Sequence, residues 1–127
     1  MSLVVRHRAI VVAVVLGLMV LAGCGSGGEK AAATGSPDSS GSTTIDITLK
    51  GGTVKPSGSK VKVKAGKPVN LHIVADKAGE LHVHSSPEQH IEFKAGTTEK
   101  TLTIDQPGVV DIEDHALDKL IVQLEVS

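Results

Sequence analysis

The stretch "GGTVKPSGSKVKVKAGKPVNLHIVAD", Gly51–Asp76, decides the fold class of this chain. It holds two runs, "KVKVK" and "VNLHIVA", in which polar and apolar residues alternate, and the turn sequence "AGKP" lies between them. A period of two is typical of a strand that has one buried face. The second run places Val69, Leu71 and Ile73 on one face, so these side chains are predicted to lie in the core.

The same pattern continues to the end of the chain. Runs such as "TIDITLK", "ELHVH", "KTLTI", "GVVDIE" and "LIVQLEV" are separated by short turn sequences such as "SSPEQ" and "DQPG". Strands at such short intervals predict an all-β sandwich or barrel of about seven or eight strands. The segment from Asp114 to Leu120 is predicted to be a loop between the last two strands. The last run is expected to bury Leu120, Val122, Leu124 and Val126.

The N-terminus has the organisation of a secretion signal. Arg6 and Arg8 precede the apolar run "AIVVAVVLGLMVLAG", which ends at Cys24, the single cysteine of the chain. About 20 apolar residues could also form a membrane-spanning helix. However, "LAGC" after a basic and an apolar segment resembles the signal of bacterial lipoproteins. That resemblance implies cleavage before Cys24 and attachment of a diacylglyceryl group to its sulfur.

Three regions are therefore predicted. Residues 1–23 are a lipoprotein signal peptide, and residues 24–44 are the lipidated Cys24 with a linker rich in Gly, Ser, Ala and Thr, a composition typical of a flexible tether. Residues 45–127 form the folded domain. Two or more acyl chains, such as palmitate, anchor a protein stably to a membrane. The predicted location is the extracytoplasmic face of a bacterial cell membrane, with the membrane bound through Cys24.

Composition argues against several functional classes. The chain has 13 basic and 14 acidic residues, and Arg6 and Arg8 leave with the predicted signal, so the mature protein is acidic. Binding to nucleic acid requires a basic face, which this sequence does not offer. It also contains no nucleophile elbow and no glycine-rich phosphate loop before a helix. The protein is predicted not to be an enzyme.

Three segments, in their order, carry a resemblance to a known family. They are Gly51–Asp76 with its "GKPV" turn, the run "ELHVH", and "DQPGVVDIEDHALDKLIVQLEV". Together they resemble a cupredoxin-like domain, the small Greek-key β-sandwich of copper proteins. The resemblance covers about Gly51 to Val126 and implies that His82 and His115 lie at the positions of metal ligands.

One kind of copper site is excluded by the residues present. Blue-copper centres need a cysteine thiolate, two histidines and usually an axial methionine. No cysteine and no methionine follows Gly108, so the chain has no type 1 electron-transfer site. It resembles instead the cysteine-free, cupredoxin-like lipoproteins.

The candidate ligands lie mainly in "ELHVHSSPEQH", Glu80–His90, which contains three of the six histidines. Residues two apart in a strand share a face at about 6.6 Å, so His82 and His84 could bind one ion. Imidazole suits Cu(II) and Zn(II), and carboxylates can complete the ligand set. The predicted metal ligands are His82, His84 and His115. Additional candidates are Glu113, Asp114 and His90, the last in a predicted loop.

Two other interpretations of these histidines stay open. The triplet His-Val-His also occurs in Cu/Zn superoxide dismutases, although the sequence has no equivalent of their bridging-histidine loop or disulfide. A half-exposed strand with solvent-facing histidines shows the same alternation. The pattern does not tell which face of the strand His82 and His84 occupy.

Two functional hypotheses follow. The first is a membrane-anchored, extracytoplasmic lipoprotein that binds a divalent metal, Cu(II) or alternatively Zn(II), for metal binding or delivery in the cell envelope. Its candidate partner is a metal-handling or other membrane protein. The alternative is a β-sandwich without a cofactor that serves as an interaction or structural module of the envelope.

Overall fold

A computed structural model of the chain describes residues 35–127. The predicted signal peptide, the lipidation at Cys24 and the linker as far as residue 34 lie outside the described residues. The described part is built from strands and turns. It contains no helix that is long and apolar enough to cross a membrane.

Ten strands form two five-stranded sheets that pack face to face. In chain order they are β1 (Ser36–Pro37), β2 (Thr43–Lys50), β3 (Thr53–Lys55), β4 (Ser59–Val63), β5 (Pro68–Ala75), β6 (Gly79–Val83), β7 (Gln89–Phe93), β8 (Gly96–Thr103), β9 (Gly108–Asp114) and β10 (Lys119–Val126). Sheet A has the order β1-β2-β5-β8, with β3 beside β2, and sheet B has the order β4-β10-β9-β6-β7. The predicted all-β sandwich is therefore confirmed, with short strands added to the predicted set.

Both sheets mix parallel and antiparallel pairs. β2 runs parallel to β5, and β4 runs parallel to β10, whereas the other neighbours are antiparallel. Strands that are far apart in sequence thus become neighbours. In particular, β9 comes to lie beside β6, and this pairing builds the candidate site.

Strand pairing begins before residue 45, where the folded domain is predicted to start. β1 pairs with Thr43 and Thr44 at the start of β2. The turn between them is held by Asp38, whose Oδ1 accepts hydrogen bonds from the backbone N–H groups of Ser40 and Ser42 at 2.9 and 3.1 Å. A further bond from the Ser40 hydroxyl is the largest cause of the lowered pKa of Asp38. Residues 36–44 therefore belong to the sandwich rather than to the linker.

The core lies between the sheets and consists of aliphatic side chains and Phe93, the single aromatic residue of the chain. Val69, Leu71 and Ile73 are at most 1% exposed, as their alternation predicts. β10 departs from strict alternation, because a register shift between Leu120 and Val122 marks a β-bulge. Ile121 and Val122 are consequently both buried, while Leu120 is only partly buried.

The inner faces of β6 and β9 pack in the core, and their outer faces carry the candidate site. Leu81, Val83 and Ile112 are fully buried, so the residues that alternate with them point outward. Gly79, at the start of β6, lies so close to Phe93 that an added Cβ would be 2.6 Å from the ring. The chain then turns at residues 115–118 between β9 and β10, where the sequence predicts a loop.

Candidate metal site

The predicted ligands lie on the outer face of sheet B. His82 of β6 is opposite His90 of β7 on one side and opposite Glu113 of β9 on the other. Because strand side chains alternate, Glu80 and His84 share this face with His82. Together with Glu88 and His115, these residues form one surface cluster, here called the histidine patch. Its members are Glu80, His82, His84, Glu88, His90, Glu113 and His115.

Three residues of the patch form the β6–β7 group: Glu80, His82 and His90. Both imidazoles meet the same carboxylate oxygen, since Glu80 Oε1 lies 2.8 Å from His82 Nε2 and 3.1 Å from His90 Nδ1. The two rings are 4.4 Å apart and inclined at 71°. Two imidazole nitrogens therefore lie at one carboxylate oxygen, and the three atoms are close enough together to be the ligands of one metal ion.

Three other residues form the β9-end group: His84, Glu113 and His115. Glu113 Oε2 lies 3.0 Å from His84 Nε2 and 3.4 Å from His115 Nε2, so two imidazoles again meet one carboxylate oxygen. His84 follows the last residue of β6, yet its backbone N–H still donates to the carbonyl of Asp111 at 2.9 Å. This bond fixes the backbone that carries His84 beside β9.

The contact between the two groups is a ring stack. The His82 and His115 rings have centroids 3.9 Å apart and planes inclined at only 28°. The lone pair with which imidazole binds a metal lies in the plane of the ring, so two stacked rings point their lone pairs side by side rather than at one another. The structure thus brings the predicted ligands His82, His84 and His115 together, but it places His82 in one group and the other two in the second.

The additional candidates have different outcomes. Glu113 lies at the centre of the β9-end group. His90 was predicted to lie in a loop; that placement is wrong, because His90 is part of β7 and faces His82. Asp114 faces the interior, is 3% exposed and accepts a hydrogen bond from the Leu117 N–H at 3.0 Å. The structure therefore does not bring Asp114 into the patch.

Sequence reasoning missed two carboxylates. Glu80 and Glu88 are not among the ligands that the sequence predicts. Glu80 contacts both imidazoles of its group, and Glu88 Oε1 lies 3.4 Å from His82 Nδ1 and 4.0 Å from His90 Nε2. The available signal was spacing, since Glu80 precedes His82 by two residues and Glu88 precedes His90 by two.

Charge in the patch favours cations. The outward positions of β6, β7 and β9 carry histidines, acids and Val109, and no lysine or arginine. The hydrogen bond from His90 is the main cause of a lowered pKa of Glu80; the bond from His82 adds to this effect and partial loss of hydration opposes it. A lowered pKa keeps the carboxylate ionised, which is the form that binds a metal. His82 is the least exposed imidazole, at 19% of its side chain.

Comparisons with known proteins bear on the fold. No protein-family model matches the sequence, and no curated protein is significantly similar to it. Solved structures do match. The metal-binding domain of the Cu(I)-exporting P-type ATPase CopA of Streptococcus pneumoniae has a TM-score of 0.52 at 11% identity, over 68% of this chain and 87% of that domain.

Two further structures give the same result. A copper-binding protein in its apo form has a TM-score of 0.53 at 14% identity, over 71% of this chain and 92% of its own. A mutant of amicyanin in its reduced Cu(I) form has a TM-score of 0.50 at 14% identity, over 79% and 95%. The domain has a cupredoxin-like fold. At these identities the likeness concerns the fold alone.

The distances in this cupredoxin-like domain fit a metal shell. Nitrogen and oxygen ligands bind Zn(II) at about 2.0–2.2 Å, so neighbouring ligand atoms of a tetrahedral ion are roughly 3.3–3.6 Å apart. In the β9-end group the Glu113–His115 separation of 3.4 Å lies within this range, and the Glu113–His84 separation of 3.0 Å is shorter. Those of the β6–β7 group are 2.8 and 3.1 Å. The ligand atoms of each group are therefore close enough to bind one small divalent ion, provided that the shorter nitrogen–oxygen pairs open slightly.

Proposed function

We propose that this protein binds a divalent transition metal ion, Cu(II) or alternatively Zn(II), at the β9-end group of the histidine patch. The ligands would be His84, Glu113 and His115. The proposed biological role is metal binding or delivery at the cell envelope by a lipid-anchored protein.

One observation carries the proposal: two imidazoles converge on a single carboxylate oxygen, Glu113 Oε2, at 3.0 and 3.4 Å. An ordinary ion pair needs only one nitrogen for each oxygen. Two imidazole nitrogens and a carboxylate oxygen close together at the ends of two neighbouring strands are ligand types that suit Cu(II) and Zn(II). The site is partly open to solvent, since the three side chains are 34–50% exposed, and an ion can therefore enter and leave.

The choice of metal follows from the ligand types. Imidazole and carboxylate suit Cu(II) and Zn(II), whereas Cu(I) prefers sulfur, and the histidine patch contains none. Copper receives further support from the fold, because the similar structures include a domain solved with Cu(I) and a copper-binding protein. Fast electron transfer through a type 1 centre is not part of the proposal, since no cysteine follows Gly108.

The location rests on the N-terminal sequence. "LAGC" after a basic and an apolar segment supports lipidation at Cys24, followed by a tether rich in glycine and serine. A tethered domain with an accessible metal site is suited to hold an ion near the membrane. A membrane protein that exports or uses the metal is the proposed partner.

The test is a calorimetric titration of Cu(II) and of Zn(II) into the full chain in detergent. The variant His84→Gln/His115→Gln should lose one equivalent of binding, because it removes both imidazoles of the β9-end group. The matched control is His72→Gln, which alters a histidine on the outer face of sheet A and should bind as the wild type does. Equal binding by the wild type and the double variant would refute the proposal.

A second candidate function has its own supporting observation. Each imidazole of the patch already has a glutamate oxygen within 2.8–3.4 Å, which is also the range of hydrogen bonds and ion pairs. The patch could therefore be a metal-free surface for binding another envelope protein. The same titration separates the two functions, because a metal-free module takes up no equivalent of Cu(II) that depends on His84 and His115.

A further inference from the structure

The β6–β7 group repeats the geometry of the β9-end group with different residues. We infer that Glu80, His82 and His90 form a second metal site, so that the histidine patch holds two divalent ions side by side. This inference rests on the proposed function, because both sites belong to one patch and take the same class of ion. Its failure can still be told apart from that of the first site.

The first argument is convergence. Glu80 Oε1 receives His82 Nε2 at 2.8 Å and His90 Nδ1 at 3.1 Å. None of these three residues belongs to the β9-end group, so one ion in each group would share no ligand. Register fixes this geometry, since His82 and His90 are directly opposite each other in the β6–β7 ladder.

The second argument is Glu88, which lies on the far side of both rings. Glu88 Oε1 is 3.4 Å from His82 Nδ1 and 4.0 Å from His90 Nε2. These are the ring nitrogens that do not face Glu80. In metal sites the second nitrogen of a ligating histidine usually donates to a carboxylate, which orients the ring and fixes its tautomer. Glu88 is placed to do this for His82, whereas its oxygen lies beyond hydrogen-bond distance of His90 Nε2.

The third argument is the ring stack, which separates the two sites. His82 and His115 lie face to face with centroids 3.9 Å apart. Because the two rings overlap face to face, their in-plane lone pairs run side by side; the rings of His84 and His115, with centroids 5.5 Å apart and planes inclined at 30°, do not overlap in this way. The nitrogens engaged with glutamate oxygen, His82 Nε2 and His115 Nε2, instead meet different carboxylates, Glu80 and Glu113. The two proposed sites are therefore adjacent, but each has its own ligands.

The charge of the patch permits two ions. Glu80, Glu88 and Glu113 supply three negative charges, and Asp111 and Glu92 lie at further outward positions of β9 and β7. No lysine or arginine shares the outward positions of β6, β7 and β9. Two divalent ions are therefore largely balanced by carboxylates of the protein, which reduces their mutual repulsion.

The experiment measures stoichiometry with Zn(II) by calorimetry and with Cu(II) by calorimetry and electron paramagnetic resonance, on the full chain in detergent. The wild type should bind two equivalents, and two Cu(II) ions on adjacent stacked rings should broaden each other's spectrum. His82→Gln/His90→Gln should bind one equivalent, lost from the β6–β7 group, and give an unbroadened spectrum. His84→Gln/His115→Gln should also bind one.

A milder variant guards against loss of folding. Glu88→Gln leaves all the proposed ligands in place and should weaken only one of the two equivalents, by about 10- to 100-fold, as removal of an orienting carboxylate does. The circular dichroism spectrum of each variant should match that of the wild type. His72→Gln serves again as the control and should keep two equivalents.

Three results would overturn the inference. One equivalent in the wild type that survives His82→Gln/His90→Gln leaves the proposed function standing and removes the second site. If the wild type binds one equivalent and each of the two double variants binds none, a single ion is shared by both groups. No binding by the wild type refutes the proposed function and this inference together.

Discussion

The two outer faces of the sandwich both place a histidine between acids, yet only that of sheet B brings several candidate metal ligands together. On sheet A, His72 lies between Asp46 and Glu99 in one row across three strands. Its Nδ1 is 3.1 Å from Asp46 and its Nε2 is 3.6 Å from Glu99. On sheet B, Glu80 and Glu113 each use one oxygen to contact two imidazoles.

The contacts of His72 are those of ordinary ion pairs, whereas the contacts in the histidine patch are those expected of a set of candidate ligands. His72 meets its acids one by one, so each nitrogen has its own partner and the acids lie on opposite sides of the ring. In the histidine patch, two imidazole nitrogens lie near one oxygen of Glu80 and two others lie near one oxygen of Glu113. Sheet A offers one imidazole and the histidine patch offers four, so only the patch can direct two nitrogens at one carboxylate oxygen.

The largest expected effect is on the free energy of unfolding. Both outer faces lie over core residues, so a cavity beneath either face should destabilise the fold. Leu81 lies beside His82 and Ile73 beside His72, and both are fully buried. Leu81→Ala and Ile73→Ala should each lower the free energy of unfolding by about 2–5 kcal/mol, because each leaves a cavity. Urea denaturation measures this.

The same two variants should differ in their effect on Zn(II) binding. Under conditions in which both are folded, Leu81→Ala should weaken Zn(II) binding, since it loosens the strand that carries Glu80 and His82, whereas Ile73→Ala should not. Equal weakening by both variants would mean that the patch responds to general stability and not to the strand beneath it.

The next effect concerns the shared oxygen. Glu113→Gln replaces the carboxylate that contacts both His84 and His115 and should weaken one equivalent of Zn(II) binding at least tenfold, or about 1.4 kcal/mol. Glu99→Gln makes the same change beside His72 and should leave Zn(II) binding unaltered. Competition with a chelator of known affinity measures both. A similar loss in both variants would show that overall negative charge, not convergence, attracts the ion.

The smallest effect is the acid dependence of stability without metal. The pKa of Glu80 is lowered in the folded protein, first by the His90 hydrogen bond. Glu80 therefore stabilises the fold above the ordinary glutamate pKa of about 4.3, and this contribution is lost as the pH falls through the lowered value. Glu80→Gln should make the urea midpoint less dependent on pH below about 4.3.

The control for this change lies on sheet A. Thr101→Ala removes no titrating group and should keep the acid dependence of the wild type. If Glu80→Gln kept that dependence in full, the contacts of Glu80 with the imidazoles would not stabilise the apo protein in solution.

Much of the fold could be predicted from alternation alone, because burial on one face imposes a period of two on the sequence. Val69, Leu71 and Ile73 are core residues for this reason. The bulge at Ile121 was not predicted, since one extra residue in a strand has no local signature. The short strand β3 was also missed, because its three residues lie within a turn-rich segment and pair only through β2.

The site was less accessible to sequence reasoning. The spacing of His82 and His84 predicts a common face, but their division between two groups depends on ring orientations. The role of His90 depends on register, since the "SSPEQ" loop returns the chain so that His90 faces His82. Cross-strand register and the pairing of β9 with β6 are tertiary properties, which a single strand pattern does not contain.

The position at which the N-terminal segment joins the sandwich determines where the histidine patch lies relative to the proposed tether. A Cβ on Gly35 would lie 2.6 Å from Val61 Cγ1, so the chain reaches the sandwich beside β4. β4 is one edge of sheet B and β7 is the other, four strand spacings or about 19 Å away. If Cys24 carries the proposed lipid, the tether joins the domain at the edge of sheet B opposite to β7, and two strand spacings, about 10 Å, separate that edge from β9. A donor or acceptor protein could then reach the ions without contacting the tether.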